Sequence, residues 1–135
     1  MRLARGVAGY LWAAPATLLG FALAGIACAF GASVRVREGV VEVAGGRLAR
    51  LPVFLRPFHV IAITFGHVVL GVTHAVLERE RAHEHAHVRQ YERWGPLFLP
   101  LYLASSGLAL LGGGKAYRDN AFERQAREAE PPSDA

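Results

Sequence analysis

The chain has one cysteine, Cys28, so it can form no intrachain disulfide, and cysteine usage says nothing about its redox compartment. It also lacks any nucleic-acid motif. Its net charge of +4 comes from basic residues interleaved with acids, as in Arg79-Glu80-Arg81, and not from a basic stripe, which excludes the usual footprint of a nucleic-acid partner. Charge itself is missing over long stretches. Residues 7–34 are 28 positions without one charged side chain, and a hydrocarbon core needs about 20.

That first stretch is expected to be an N-terminal transmembrane helix, with residues 1–33 as the anchor and the lipid bilayer as its partner. Arg2 and Arg5 would suit a signal peptide and Ala27-Cys28-Ala29 its cleavage site, but the uncharged run far exceeds an h-region of about 7 to 15 residues. A lipoprotein reading of Cys28 meets Gly25 where a bulky aliphatic belongs. Arg35, Arg37, Arg47, Arg50 and Arg56 follow the anchor and outnumber the two arginines before it, so the positive-inside rule leans toward a cytoplasmic domain. The signal-like N-terminus argues the opposite orientation. With 135 residues, 53% of them hydrophobic, the chain supports one small domain.

What is present is concentrated in His83-Glu84-His85-Ala86-His87, an H-E-x-x-H pattern. Residues four apart share a helical face, so His83 and His87 can hold one Zn²⁺ between them, with Glu84 as general base beside the water that the metal activates. The flanks predict a helix from about residue 75 to 91, ended by Gly95-Pro96. On that helix His85 points away from the other two and is expected to be exposed, while Gln90 returns near their face. A zinc site needs a third protein ligand. Glu123, at the start of a further helix, is the leading candidate, with His67, His74 and Asp119 as competitors. Asn120 and Glu123 also have the spacing of a capping box, in which the carboxylate would only reach back to the cap backbone.

The runs HEHAHVRQYERWGPLFLPLYLASS and YRDNAFERQA resemble a group of small bacterial membrane proteins with the pattern HE-x-x-HVRQYERWGPLF-x-P-x-Y, then YRDNPFE-x-EA. More distantly they are similar to the gluzincin metallopeptidases. The resemblance covers residues 63–129, about half the chain. It implies His83, His87 and Glu123 as zinc ligands, Glu84 as catalytic base and a bacterial inner (cytoplasmic) membrane location; it supplies no substrate, and the metallopeptidase reading alone calls for an unknown peptide or protein substrate. The chain departs from the pattern at Ala121, where Pro is usual, and at Gln125, where Glu is usual.

The remaining segments predict a mixed α and β domain, residues 34–130. Residues 33–46 alternate apolar and charged side chains around a Gly turn, which is a hairpin signal. Residues 60–72 are β-branched and read as strands, although the uncharged span 57–77 is long enough to cross a membrane. The gluzincin resemblance would cast residues 64–70 as the strand whose edge holds a substrate backbone. His59, His67 and His74 are expected as packing residues. Tyr117 is a weak candidate for stabilising an oxyanion. Residues 97–111 carry no charge but are short for a span; an apolar helix folding back antiparallel to the motif helix would set residues 105–109 opposite the two histidines, and Gly112-Gly113-Gly114 would return Glu123 to the metal. The acidic end, with residues 131–135 as tail, is expected to be disordered.

The whole reads as a membrane-anchored, gluzincin-like zinc metallopeptidase. The alternative is a non-catalytic membrane scaffold protein with a structural zinc site, which would need a fourth protein ligand such as His67 or His74.

Overall fold

The computed structural model describes residues 6–50 and 62–132. His59 and the start of the second β-branched run lie outside the described residues. The order is α1 (Val7–Ala29), β1 (Ser33–Arg37), β2 (Val40–Ala44), a 3-10 turn (Gly46–Arg50), β3 (Ala62–Phe65), β4 (Val68–Gly71), α2 (His74–Trp94), a 3-10 turn (Gly95–Leu97), α3 (Phe98–Leu111) and α4 (Ala121–Glu128). The α+β expectation matches this arrangement.

The four strands form one sheet in the order β1-β2-β4-β3, antiparallel at both ends and parallel between β2 and β4. The hairpin predicted over residues 33–46 is β1 and β2, turning at Glu38-Gly39, both with positive φ. The second β-branched run folds as another two-residue hairpin, whose turn contains Gly66 at φ +60°. The assignment of an edge to residues 64–70 needs correction. Strand β4 sits inside the sheet between β2 and β3, so of these two strands it is β3, Ala62–Phe65, that lies at an edge among the described residues.

Alternation along β2 explains how the sheet is covered on both faces. Val43, with Val68 and Leu70 of β4, packs against Ala24 and Ala27 of α1; Val40 and Ala44, with Val69, pack against Leu77 and Val88 of α2. The apolar N-terminal helix thus lies along the sheet. Its buried positions Ala13, Ala16, Gly20, Ala24 and Ala27 recur every three or four residues as a seam of small side chains. Close approach requires them: a Cβ on Gly20 would stand 2.7 Å from Val68 Cβ, and one on Gly66 2.2 Å from Thr17 Oγ1. The Thr17 hydroxyl accepts the His67 N–H at 3.0 Å, and Trp12 Nε1 donates to the Arg93 carbonyl at the end of α2.

Helix α2 begins where Thr73 Oγ1 accepts the Val76 N–H and ends at Gly95, whose φ of +55° suits only glycine before Pro96. It extends the predicted helix by one residue at the start and three at the end. Phe98 is the only buried residue of α3; Leu101, Leu103, Leu108, Leu110 and Leu111 are all exposed. Two helical stretches, Val7–Ala29 and the run His74–Leu111, are long and apolar enough to cross a membrane.

Candidate metal centre

Helix α2 turns three side chains toward α4 and strand β3. His83, Glu84 and His87 are all buried, as is Glu123. The Nε2 atoms of His83 and His87 lie 3.1 and 2.7 Å from separate oxygens of the Glu123 carboxylate. Zinc bound at about 2.0–2.2 Å in a tetrahedral shell sets its ligand atoms roughly 3.3 Å apart, so these three groups fit a metal with small shifts. His83, His87 and Glu123 are the buried cluster that could hold a metal ion among the described residues.

The competition between ligand and cap at Glu123 has a geometric answer. Asn120 Oδ1 accepts the N–H groups of Phe122 and Glu123, which starts α4, and the Asn120 side-chain amide donates to the Tyr102 carbonyl and to Ser106 Oγ. The Glu123 carboxylate turns away from the cap and toward the histidines. Ala121, standing where the resembled pattern has Pro, donates its N–H to Ser105 Oγ at 2.9 Å, a bond proline would not make.

Both Nδ1 atoms are held from behind. His87 Nδ1 donates to Gln90 Oε1 at 2.8 Å, and Gln90 is oriented in turn by donating to the Phe122 carbonyl and to Gln125 Oε1. His83 Nδ1 lies 2.6 Å from Glu130 Oε1. Such partners fix the ring and leave Nε2 for a metal. Glu130, assigned above only to the acidic end of the domain, is the contact that sequence reasoning missed, and no spacing rule pointed to it.

Other expectations are corrected by packing. His85 is buried, not exposed, because the sheet covers the back of α2: its Nε2 is 3.3 Å from Glu42 on β2, and Arg81 forms a bidentate pair with the same carboxylate. Phe98 and Tyr102, not residues 105–109, face the histidines, with ring centroids 6.3 Å from that of His87. Tyr102 donates to Glu123 Oε1 at 3.0 Å. Of the competing ligands, His67 Nε2 pairs with Glu92 at 3.1 Å, His74 Nε2 with Ser33 Oγ at 2.8 Å, and Asp119 accepts the Lys115 N–H; none joins the cluster.

Glu84 stands beside the cluster, its Oε2 accepting from the Thr64 hydroxyl of β3 at 2.7 Å. The Tyr91 hydroxyl donates to the Thr64 carbonyl and fixes β3 against α2. A cavity of about 200 Å³ opens between β3 and α3, and Glu84, His87, Glu123 and Tyr117 all line it.

Burial raises the Glu84 carboxyl above the usual range, against the lowering effect of His87 and the Thr64 bond. For Glu123 burial also pushes upward, but bonds to His83 and His87 prevail and hold it well below the usual range. Burial lowers His83, yet its bonds to Glu123 and Glu130 outweigh that and raise it to about 9. His87 is raised too, Glu123 again outweighing burial. His83 of the metal-free chain therefore keeps its second proton near pH 7.5, and zinc must displace it. Calorimetry at pH 7.5 in buffers of different ionisation enthalpy is expected to show proton release on zinc binding, with affinity rising as pH climbs toward about 9. The same raised group stabilises the metal-free fold fully below pH 6.5 and ceases to do so as pH rises through about 9.

Comparison with models of protein families, with curated proteins and with solved structures gives no match.

Proposed function

We propose that this chain is a zinc-dependent, gluzincin-like metallopeptidase anchored in the bacterial inner membrane. The observation that carries the reading is Glu84. A buried carboxylate, held by Thr64 in the cavity that His87 and Glu123 also line, has the position and raised proton affinity of a general base.

His83, His87 and Glu123 would hold the metal. Zinc would supply a Lewis acid that polarises the substrate carbonyl and lowers the pKa of water. Glu84 takes the proton of the attacking water and delivers it to the leaving nitrogen, so one water is consumed for each C–N bond broken. Thr64 keeps the carboxylate turned toward the cavity. Tyr117, also in the wall, offers a hydroxyl to the developing oxyanion.

The scaffold alternative needs a fourth protein ligand. The engagement of His67 with Glu92 and of His74 with Ser33 speaks against it. Membrane anchoring is supported by the outward side chains of α1, with Leu11, Leu18 and Ile26 exposed, and by the exposed leucines of α3. An α3 that crossed the bilayer would carry Glu123 to the far side. Instead the start of α4 returns to the middle of α3, at Tyr102, Ser105 and Ser106. The test is incubation of the purified, zinc-loaded protein with a mixed peptide library, with new termini read by mass spectrometry. Cleavage that stops on chelation and returns with zinc is the expected result; no new termini at any zinc level would favour the scaffold.

A further inference from the structure

We propose that the substrate is an extended, apolar segment of a membrane-embedded polypeptide, cut within its length and admitted from the lipid side. This rests on the metallopeptidase reading and names what that site would take.

The walls of the cavity carry the argument. Ala62, Ile63 and Phe65 of β3 form one side, and Phe98 and Leu99 the other. Among the described residues, the only charged groups in the lining belong to the site itself, namely Glu84, His87 and Glu123. No lysine or arginine lines the cavity to hold a terminal carboxylate, and the histidine and acids present are committed to the metal and to base chemistry. A cut at either chain end would leave a terminal charge in apolar surroundings without a partner, which is costly. Internal peptide bonds flanked by apolar side chains meet no such penalty.

The mouth gives the direction of entry. Ile63 and Leu99 line the cavity and are also 44% and 36% exposed, so the rim itself is apolar. Leu103 lies one turn beyond Leu99 on the same side of α3 and is 68% exposed. The cavity thus opens beside the uncharged, leucine-rich surface of α3, which is poorly suited to water. A volume of about 200 Å³ is below the roughly 300–1,000 Å³ of ordinary small-molecule pockets. It suits a side chain or two beside the site, with the rest of an extended chain laid along β3, an edge strand among the described residues.

The test uses the full chain, zinc-loaded, in phosphatidylcholine–phosphatidylglycerol vesicles. One probe is a membrane-inserted Leu/Ala peptide of roughly 20 residues with terminal lysines and a central benzophenone. The other is a soluble peptide of equal length with a charge at every third position. The embedded probe is expected to be cut between apolar residues about tenfold faster or more. Leu99→Arg, which leaves the ligands untouched and should keep its zinc, is expected to remove that preference. Equal or faster cleavage of the soluble probe overturns the inference while leaving the peptidase reading intact. If neither probe is cut, the peptidase reading fails and the photoproduct decides: label on Ile63 or Leu99 keeps the apolar segment as the ligand of this cavity, and no label there overturns it.

Discussion

Glu84→Gln is expected to keep zinc and fold while losing hydrolysis by about 10²- to 10⁴-fold, the range for removal of a general base. Gln has the same shape and keeps an oxygen to accept from the Thr64 hydroxyl, so that 2.7 Å bond can survive. Its amide cannot take a proton. Burial already disfavours the Glu84 charge, so neutralising the side chain should not lower stability. Single-turnover cleavage of library peptides, beside metal content and thermal melting, separates the cases. Metal kept with activity gone fits a base; metal and stability lost together make Glu84 a structural partner. Turnover equal to wild type would end the hydrolase reading and leave the scaffold in its place.

His83→Ala and His87→Ala are each expected to lose stoichiometric zinc, whereas His85→Ala should keep it. If about 10 kcal/mol of zinc affinity is shared among three ligands, removal of one costs roughly 3 kcal/mol, or about a hundredfold. The His85 substitution acts elsewhere: it leaves buried Glu42 with Arg81 and without its imidazole neighbour, so the fold should weaken by about 1–3 kcal/mol with zinc still bound. Metal content after gel filtration and urea melts distinguish the two kinds of loss. Zinc retained in both ligand variants would sink the assignment.

The parts legible in the sequence are those set by local spacing. The i, i+4 histidines, the Gly95 stop and the Asn120 cap all depend on neighbours within a turn. The alternation of β1 and β2 was equally local. What could not be read is what covers each face. Spacing gave the direction of His85 but not that β2 would meet it with Glu42, a residue that alternation alone would place on a solvated face. The order of strands decides that β3, and not β4, lies at an edge among the described residues, and that order depends on the parallel pairing of β2 with β4 across an intervening segment. Likewise α1 looked like a separate anchor because it lacks charge, yet its seam of small residues fits it to the sheet. Glu130 is the clearest limit: its contact with His83 spans 47 residues, and only the turn of α4 against α2 creates it.

The site's central claim is that one carboxylate from α4 completes a zinc site begun by two imidazoles on α2. Its most direct test is the zinc affinity of wild type and of Glu123→Gln, measured by competition with a chromophoric chelator. Gln serves a capping box as well as Glu does, so a residue that only caps α4 would leave affinity unchanged. The arrangement of Glu123 between the two Nε2 atoms predicts one zinc per wild-type chain and binding weakened by roughly 100-fold or more in the variant. Equal affinity in the two proteins would contradict it.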